Sequence, residues 1–107
     1  MTLNKAISLL NGKIHACCTE DIDLSSGYCG DFLSFVMGKA PAGCLWFTVM
    51  NNLNVIAVAT LAEVGAVVIC EGVSVPKEVT EKAEMQGINL FSTPLDTFQA
   101  VKVFCQS

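Results

Sequence analysis

The stretch LNVIAVATLAEVGAVVIC, Leu53 to Cys70, decides the fold: eighteen residues carry a single charged side chain, Glu63. Two readings compete for it. A bilayer span needs about twenty consecutive apolar residues, and placing Glu63 in hydrocarbon would cost roughly 2.5 kcal/mol or more. The other reading divides the run. Asn51, Asn52 and Asn54 are cap-forming residues ahead of VIAVATLAEV, Gly65 closes that helix, and the β-branched AVVIC follows as a strand. A buried helix handing over to a buried strand accounts for every residue of the run, and no membrane span is expected.

Similar punctuation organises the rest of the chain. Thr2 can cap a helix with Leu3, Ala6, Ile7 and Leu10 on one face and Gly12 beyond its end, and KIHACCT then reads as a strand. DFLSFVMGK has Phe32, Leu33, Val36 and Met37 at helical spacing, Asp31 in the first turn and Gly38 at the end, followed by Pro41. GCLWFTVM is short, aromatic and bounded by turn formers, which favours a strand buried on both faces. VPKEVTEKAEMQG gives a surface helix: Pro76 suits its first turn, Lys77/Glu81 and Glu78/Lys82 stand four apart, and Gly87 ends it. INLF reads as a strand, and TPLDTFQAVKVF opens a last helix with Thr93 as cap, Pro94 first inside and Asp96 three beyond the cap. The β runs lie near 13–18, 44–49, 66–70 and 88–91. Helix and strand alternate, which predicts an α/β fold: one domain over residues 1–107, a mostly parallel sheet with helices on both faces, joined by right-handed crossovers.

At 107 residues the chain can bury a core without metals or staples, and 52% of its residues are apolar against 15% charged. The formal net charge of -4 offers no basic footprint for a phosphate backbone, so nucleic acid is not an expected partner. The six cations are all lysines, leaving any bound anion to lysine or backbone amides. MTLNKAISLLNGK lacks the long apolar segment and cleavage site of a secretory signal, so a cytoplasmic protein is expected, with Cys17, Cys18, Cys29, Cys44, Cys70 and Cys105 as reduced thiols.

The segment GAVVICEGVSVPKEVTEKAEMQGINLFSTPLDTFQAVKVF resembles the carboxyl half of the DRTGG domain: a strand ending in a glycine turn, a proline-started helix, a short apolar strand and a Thr-Pro-x-Asp-Thr-Phe-like segment. Upstream, GYCGDFLSFVMGKAPAGCLWFTVMNNLNVIAVATLAEVGAVVI is similar to a free-standing branch of that family from anaerobic bacteria, in places beside hydrogenase genes. The resemblance covers about Lys13 to Phe104. It implies a small α/β module with a regulatory or assembly role rather than catalysis. The chain departs from the family pattern in having no Asp-Arg pair, and in carrying Cys70-Glu71-Gly72 where relatives have Thr-Gly-Gly.

In open parallel sheets, ligands sit outside the carboxyl ends of the strands. The polar residues Asn51, Asn52, Asn54, Glu71, Gly72, Thr93 and Asp96 follow three of the β runs, so they are the candidate ligand-binding residues. Helix amino termini there would add amide donors. Asn54, Thr93 and Asp96 equally suit simple helix caps. In GYCGD, Cys29 is placed ahead of a helix, where a thiol can become reactive, or packs in a plain glycine turn. Cys17 and Cys18 on opposite faces of a strand are poor partners for one metal. His15, the single histidine, suits a structural strand position, and Trp46 with the phenylalanines suits core or dimer contacts.

No phosphate-loop, dinucleotide or nucleophile-elbow motif is present, and no catalytic residue, metal site or cofactor is expected. The leading expectation is a non-catalytic regulatory module, a homodimer sensing a small anionic metabolite or nucleotide, with a protein partner as a further expectation. The alternative is a thiol- or metal-handling accessory protein of anaerobic, hydrogenase-linked metabolism.

Overall fold

The run from Leu53 to Cys70 folds as two elements in the computed structural model, which describes every residue from Met1 to Ser107. Helix α3, Leu53–Ala62, ends in a turn, and strand β4, Ala66–Ile69, is wholly buried. Around them stand α1 (Leu3–Leu9), β1 (Lys13–Ala16), β2 (Gly27–Cys29), α2 (Leu33–Lys39), β3 (Leu45–Thr48), α4 (Lys77–Gln86), β5 (Leu90–Ser92) and α5 (Thr97–Cys105). No helix of the chain is long and apolar enough to cross a membrane.

The sheet has the order β1-β5-β4-β3-β2, with β2 to β5 parallel and β1 antiparallel to β5. Alternation along the central strands feeds two cores. Trp46, Val67, Ile69 and Leu90 face α2, α3 and α4, where Val36, Val55, Ile56, Ala59, Val79 and Ala83 meet them. Leu45, Phe47, Val68 and Phe91 face α1 and α5, which contribute Leu3, Ala6, Leu10 and Ala100. The three crossover helices therefore share one face, and the first and last helices cover the other.

Local punctuation differs from the sequence reading in several places. Gly65 does not stop α3: Glu63, in left-handed backbone with φ 57°, takes that position. Gly65 instead lies against backbone, since a Cβ there would stand 2.7 Å from the Gly43 carbonyl oxygen. Gly38 sits inside α2, which runs on to Lys39 ahead of Pro41. Asp31 precedes the helix rather than joining its first turn, and its Oδ1 accepts from Thr48 Oγ1 at 2.7 Å and from the Val49 amide at 3.0 Å. Pro76 stands just before α4 rather than within its first turn. Helix α5 starts three residues later than expected, with Asp96 rather than Thr93 as its cap.

Strand β2 was not expected at all, because GYC reads as a glycine turn. It is three residues on a sheet edge, and Gly27 fits there because the Phe47 and Phe104 rings each leave only 3.3 Å for a Cβ. Strand β1 ends at Ala16, so Cys17 and Cys18 lie in the loop beyond it and their placement on opposite strand faces does not hold. Asn89 ties this loop to the sheet: its side chain accepts the Cys18 and Thr19 amides at 2.8 and 3.2 Å and donates to Thr19 Oγ1 and the Gly65 carbonyl at 2.8 and 3.1 Å.

Candidate functional site

The carboxyl ends of β4 and β5 point the same way, yet the chain leaves them for opposite faces. From β4 it passes to α4 on one face, and from β5 it passes to α5 on the other. Diverging connections of this kind open a crevice in an α/β sheet, and such crevices are where ligands bind. A cleft of about 370 Å³ occupies the position, lined by the Gly72–Val75 loop, Ser92–Pro94, and Lys13 and His15 of β1. Because β1 is antiparallel, its amino-terminal end lies beside the carboxyl end of β5, with Lys13 in register with Ser92.

Polar side chains line this cleft beside Val73, Val75 and Pro94. Glu71 and Gly72 form a tight turn with both residues in left-handed backbone, φ 70° and 66°. Their amides donate to the Leu95 and Thr93 carbonyls at 2.8 and 3.0 Å, which fixes the two diverging loops against each other. The Val73 amide donates to the Cys70 carbonyl at 3.5 Å, and the Ser74 and Val75 amides donate to no acceptor in the chain. His15 Nε2 lies 2.8 Å from Ser92 Oγ. Burial, and then the neighbouring Lys13 charge, hold the imidazole below its usual range. Lys13 is the cleft's only lysine.

A second, wider cleft of about 470 Å³ lies across the same loop, lined by Asn51–Asn54 and by Pro76, Glu78 and Val79 at the start of α4. It has a carboxylate and no cation. Asn51 Nδ2 donates to the Ser74 carbonyl at 2.8 Å, so the wall between the clefts is shared. Asn52 is the cap of α3, its Oδ1 accepting the Asn54 amide at 3.0 Å, and Asn54 itself sits within the helix.

The seven sequence-chosen residues therefore divide. Gly72 and Thr93 border the first cleft, and Asn51, Asn52 and Asn54 border the second. Glu71 and Asp96 line neither: Glu71 Oε2 accepts the Thr97 amide at 2.9 Å, and Asp96 Oδ1 accepts the Gln99 amide at 2.9 Å. Thr93 is buried, its hydroxyl donating to the Leu10 carbonyl. Lys13, His15 and Ser74 were not among the candidates. The spacing of Lys13 and His15 places both on one strand, but only the sheet order brings that strand to β5.

The cysteines do not converge. No three His, Cys, Asp or Glu side chains gather in metal-binding geometry. Cys29 lies in β2 rather than ahead of a helix, and burial followed by the Asp31 charge pushes its thiol up, opposite to the shift that activates a nucleophile. Cys29 and Cys105 share a small apolar groove of about 120 Å³ with Phe47 and Phe104.

The family model of the DRTGG domain matches residues 33–107, and the chain belongs to that family. Its fold is similar to the crystal structure of the CBS and DRTGG domains of the regulatory region of Clostridium perfringens pyrophosphatase, complexed with an activator, diadenosine tetraphosphate. The TM-score is 0.79 at 16% identity, and the likeness, one of fold, covers 97% of this chain and 46% of that chain. This chain thus spans less than half of the structure it matches. No curated protein matched the sequence.

Proposed function

We propose that this chain is a non-catalytic regulatory module of the cytoplasm that senses a small anionic metabolite or nucleotide at the carboxyl edge of its sheet and works as a homodimer. The observation that carries the reading is the cleft at the divergence of β4 and β5, which is lined by Lys13, Ser74 and Ser92 and by a loop whose Ser74 and Val75 amides have no acceptor in the chain. Backbone amides and a lysine are a sufficient donor set for a phosphate or carboxylate. The asparagine cleft beyond Ser74 is continuous with this edge and suits the uncharged part of a larger ligand, which an amide can hydrogen-bond. Glu71 and Asp96 act by fixing the start of α5 behind the first cleft. A regulatory role fits the family, and the nucleotide activator of the clostridial pyrophosphatase region makes nucleotides the first ligands to try.

Thermal-shift screening of nucleotides and phosphorylated metabolites tests the reading. A ligand that stabilises the wild type should lose most of its effect with Lys13→Ala and part of it with Asn54→Ala, whereas Asp96→Ala should lower the baseline melting temperature. No stabilisation by any ligand removes the sensing role. Sedimentation equilibrium tests the homodimer separately.

A further inference from the structure

His15 is the extra residue of a β-bulge. Its neighbours Ile14 and Ala16 pair with the consecutive residues Phe91 and Leu90, leaving His15 without a partner of its own. Bulges re-aim side chains, and this one turns the ring onto Ser92 inside the cleft, beside Lys13. Lys13 is the one charged group whose field acts on the ring. Strand β5 contributes the Ser92 hydroxyl, and the Gly72–Val75 loop has no titratable side chain. Helix α4, which packs against β1, carries Lys77, Glu78, Glu81, Lys82 and Glu84; none of them lines the cleft, and Glu84 lies by Cys18.

Resting on the sensing role above, we propose that the cleft is a proton-linked site for a dianion, a phosphate monoester or the terminal phosphoryl group of a nucleotide, and that His15 takes up one proton from solvent as the anion enters. In the empty cleft burial, and then the Lys13 charge, disfavour a protonated ring, and no counter-charge offsets them. A dianion between the two supplies that counter-charge and makes protonation favourable. With the neutral ring's hydrogen on Nδ1, the hydrogen bond to Ser92 then reverses. A neutral ring with its hydrogen on Nδ1 accepts the Ser92 hydroxyl at Nε2, whereas the protonated ring donates from Nε2 to Ser92 Oγ and frees the hydroxyl hydrogen for the anion. One proton thus adds a charge and releases a donor at the same place. A monoanion would leave one of the two positive charges unmatched.

The single histidine makes the test direct, because its ring signals in an NMR spectrum need no assignment. The probe is sulfate, a dianion that does not itself titrate near neutral pH, added at constant ionic strength against a chloride control. Sulfate should raise the His15 pKa by about one unit, equivalent to about tenfold tighter binding to the protonated form. His15→Gln should keep sulfate binding, followed by amide shifts in the 72–75 loop, but remove its pH dependence. Lys13→Met should abolish both. If sulfate and inorganic phosphate shift the loop amides while the histidine pKa stays fixed, the proton link is overturned and the sensing role stands. If neither these anions nor adenosine monophosphate moves any signal of the cleft, both fail together. The primary readout is made on the wild-type chain, so it does not depend on a variant folding.

Discussion

Glu71, at the end of β4, holds the start of α5: its Oε2 accepts the Thr97 amide at 2.9 Å and the Thr97 hydroxyl at 3.3 Å. It does so from left-handed backbone, φ 70°, a conformation that disfavours side chains larger than glycine's. Glu71→Ala keeps that backbone cost and loses the carboxylate, so it should destabilise the fold by about 1 kcal/mol. Glu71→Gly relieves the backbone and should cost less. Urea midpoints measure both, and an alanine variant as stable as the wild type would show that the carboxylate contributes nothing.

Gly65 is required by proximity. A Cβ at this position would meet the Gly43 carbonyl oxygen at 2.7 Å and a Leu24 methyl at 3.1 Å, and the carbonyl is backbone already held by the Ser25 amide. Gly65→Ala should cost about 1–3 kcal/mol through displaced chain. Gly38→Ala is the control: the position lies within α2 with open space around its Cβ, and the change should be neutral or stabilising by up to about 1 kcal/mol. The two melting temperatures, compared in one buffer, check the contrast.

Thiol accessibility should divide the cysteines four to two. Cys17, Cys18, Cys29 and Cys105 are exposed, and Cys44 and Cys70 are buried. Burial pushes the Cys70 thiol up to about 11 and raises that of Cys44 as well. Titration with an aromatic disulfide reagent should count four thiols in the native protein and six in denaturant. Cys18 and Cys29, whose thiols burial and nearby acidic groups push up, should alkylate more slowly than a free cysteine at neutral pH. Faster alkylation of Cys29 would restore the reactive-thiol reading.

His15 also makes stability depend on pH. Its folded pKa lies below the ordinary 6.5, so the unfolded chain binds the proton more readily. The contribution is complete above 6.5 and is lost as the pH falls from there through the lowered folded value. Melting temperature should therefore drop on acidification across that window, and His15→Gln should flatten that part of the profile. Added sulfate should flatten it too in the wild type, since the anion favours the protonated ring.

The layered fold was legible because its signals are local. Asparagines, glycines and prolines punctuate the apolar runs, and an all-buried strand such as Leu45–Thr48 has no polar residue but Thr48, whose hydroxyl finds Asp31. Strand β2 was not, since its three residues owe their extended form to pairing with β3 and to the phenylalanines above Gly27. The sequence also placed polar residues at the strand ends, but could not say which loops turn to opposite faces. Asp96 and Thr93 show the ambiguity well: both are cap-forming types three residues apart, and only the buried Leu10 carbonyl claims Thr93 for another purpose. Lys13 was passed over and His15 read as a structural strand residue because their strand joins the sheet out of sequence order, at the far side of β5.

That outlying strand has a further consequence. Residues 33–107, matched to the family, supply β3, β4, β5 and the diverging loops, while Lys13 and His15, the titratable side chains of the cleft, lie outside that segment. On the sensing role proposed above, exchanging these two side chains of one edge strand should change ligand preference while leaving the pairing of β2, β3 and β4 untouched.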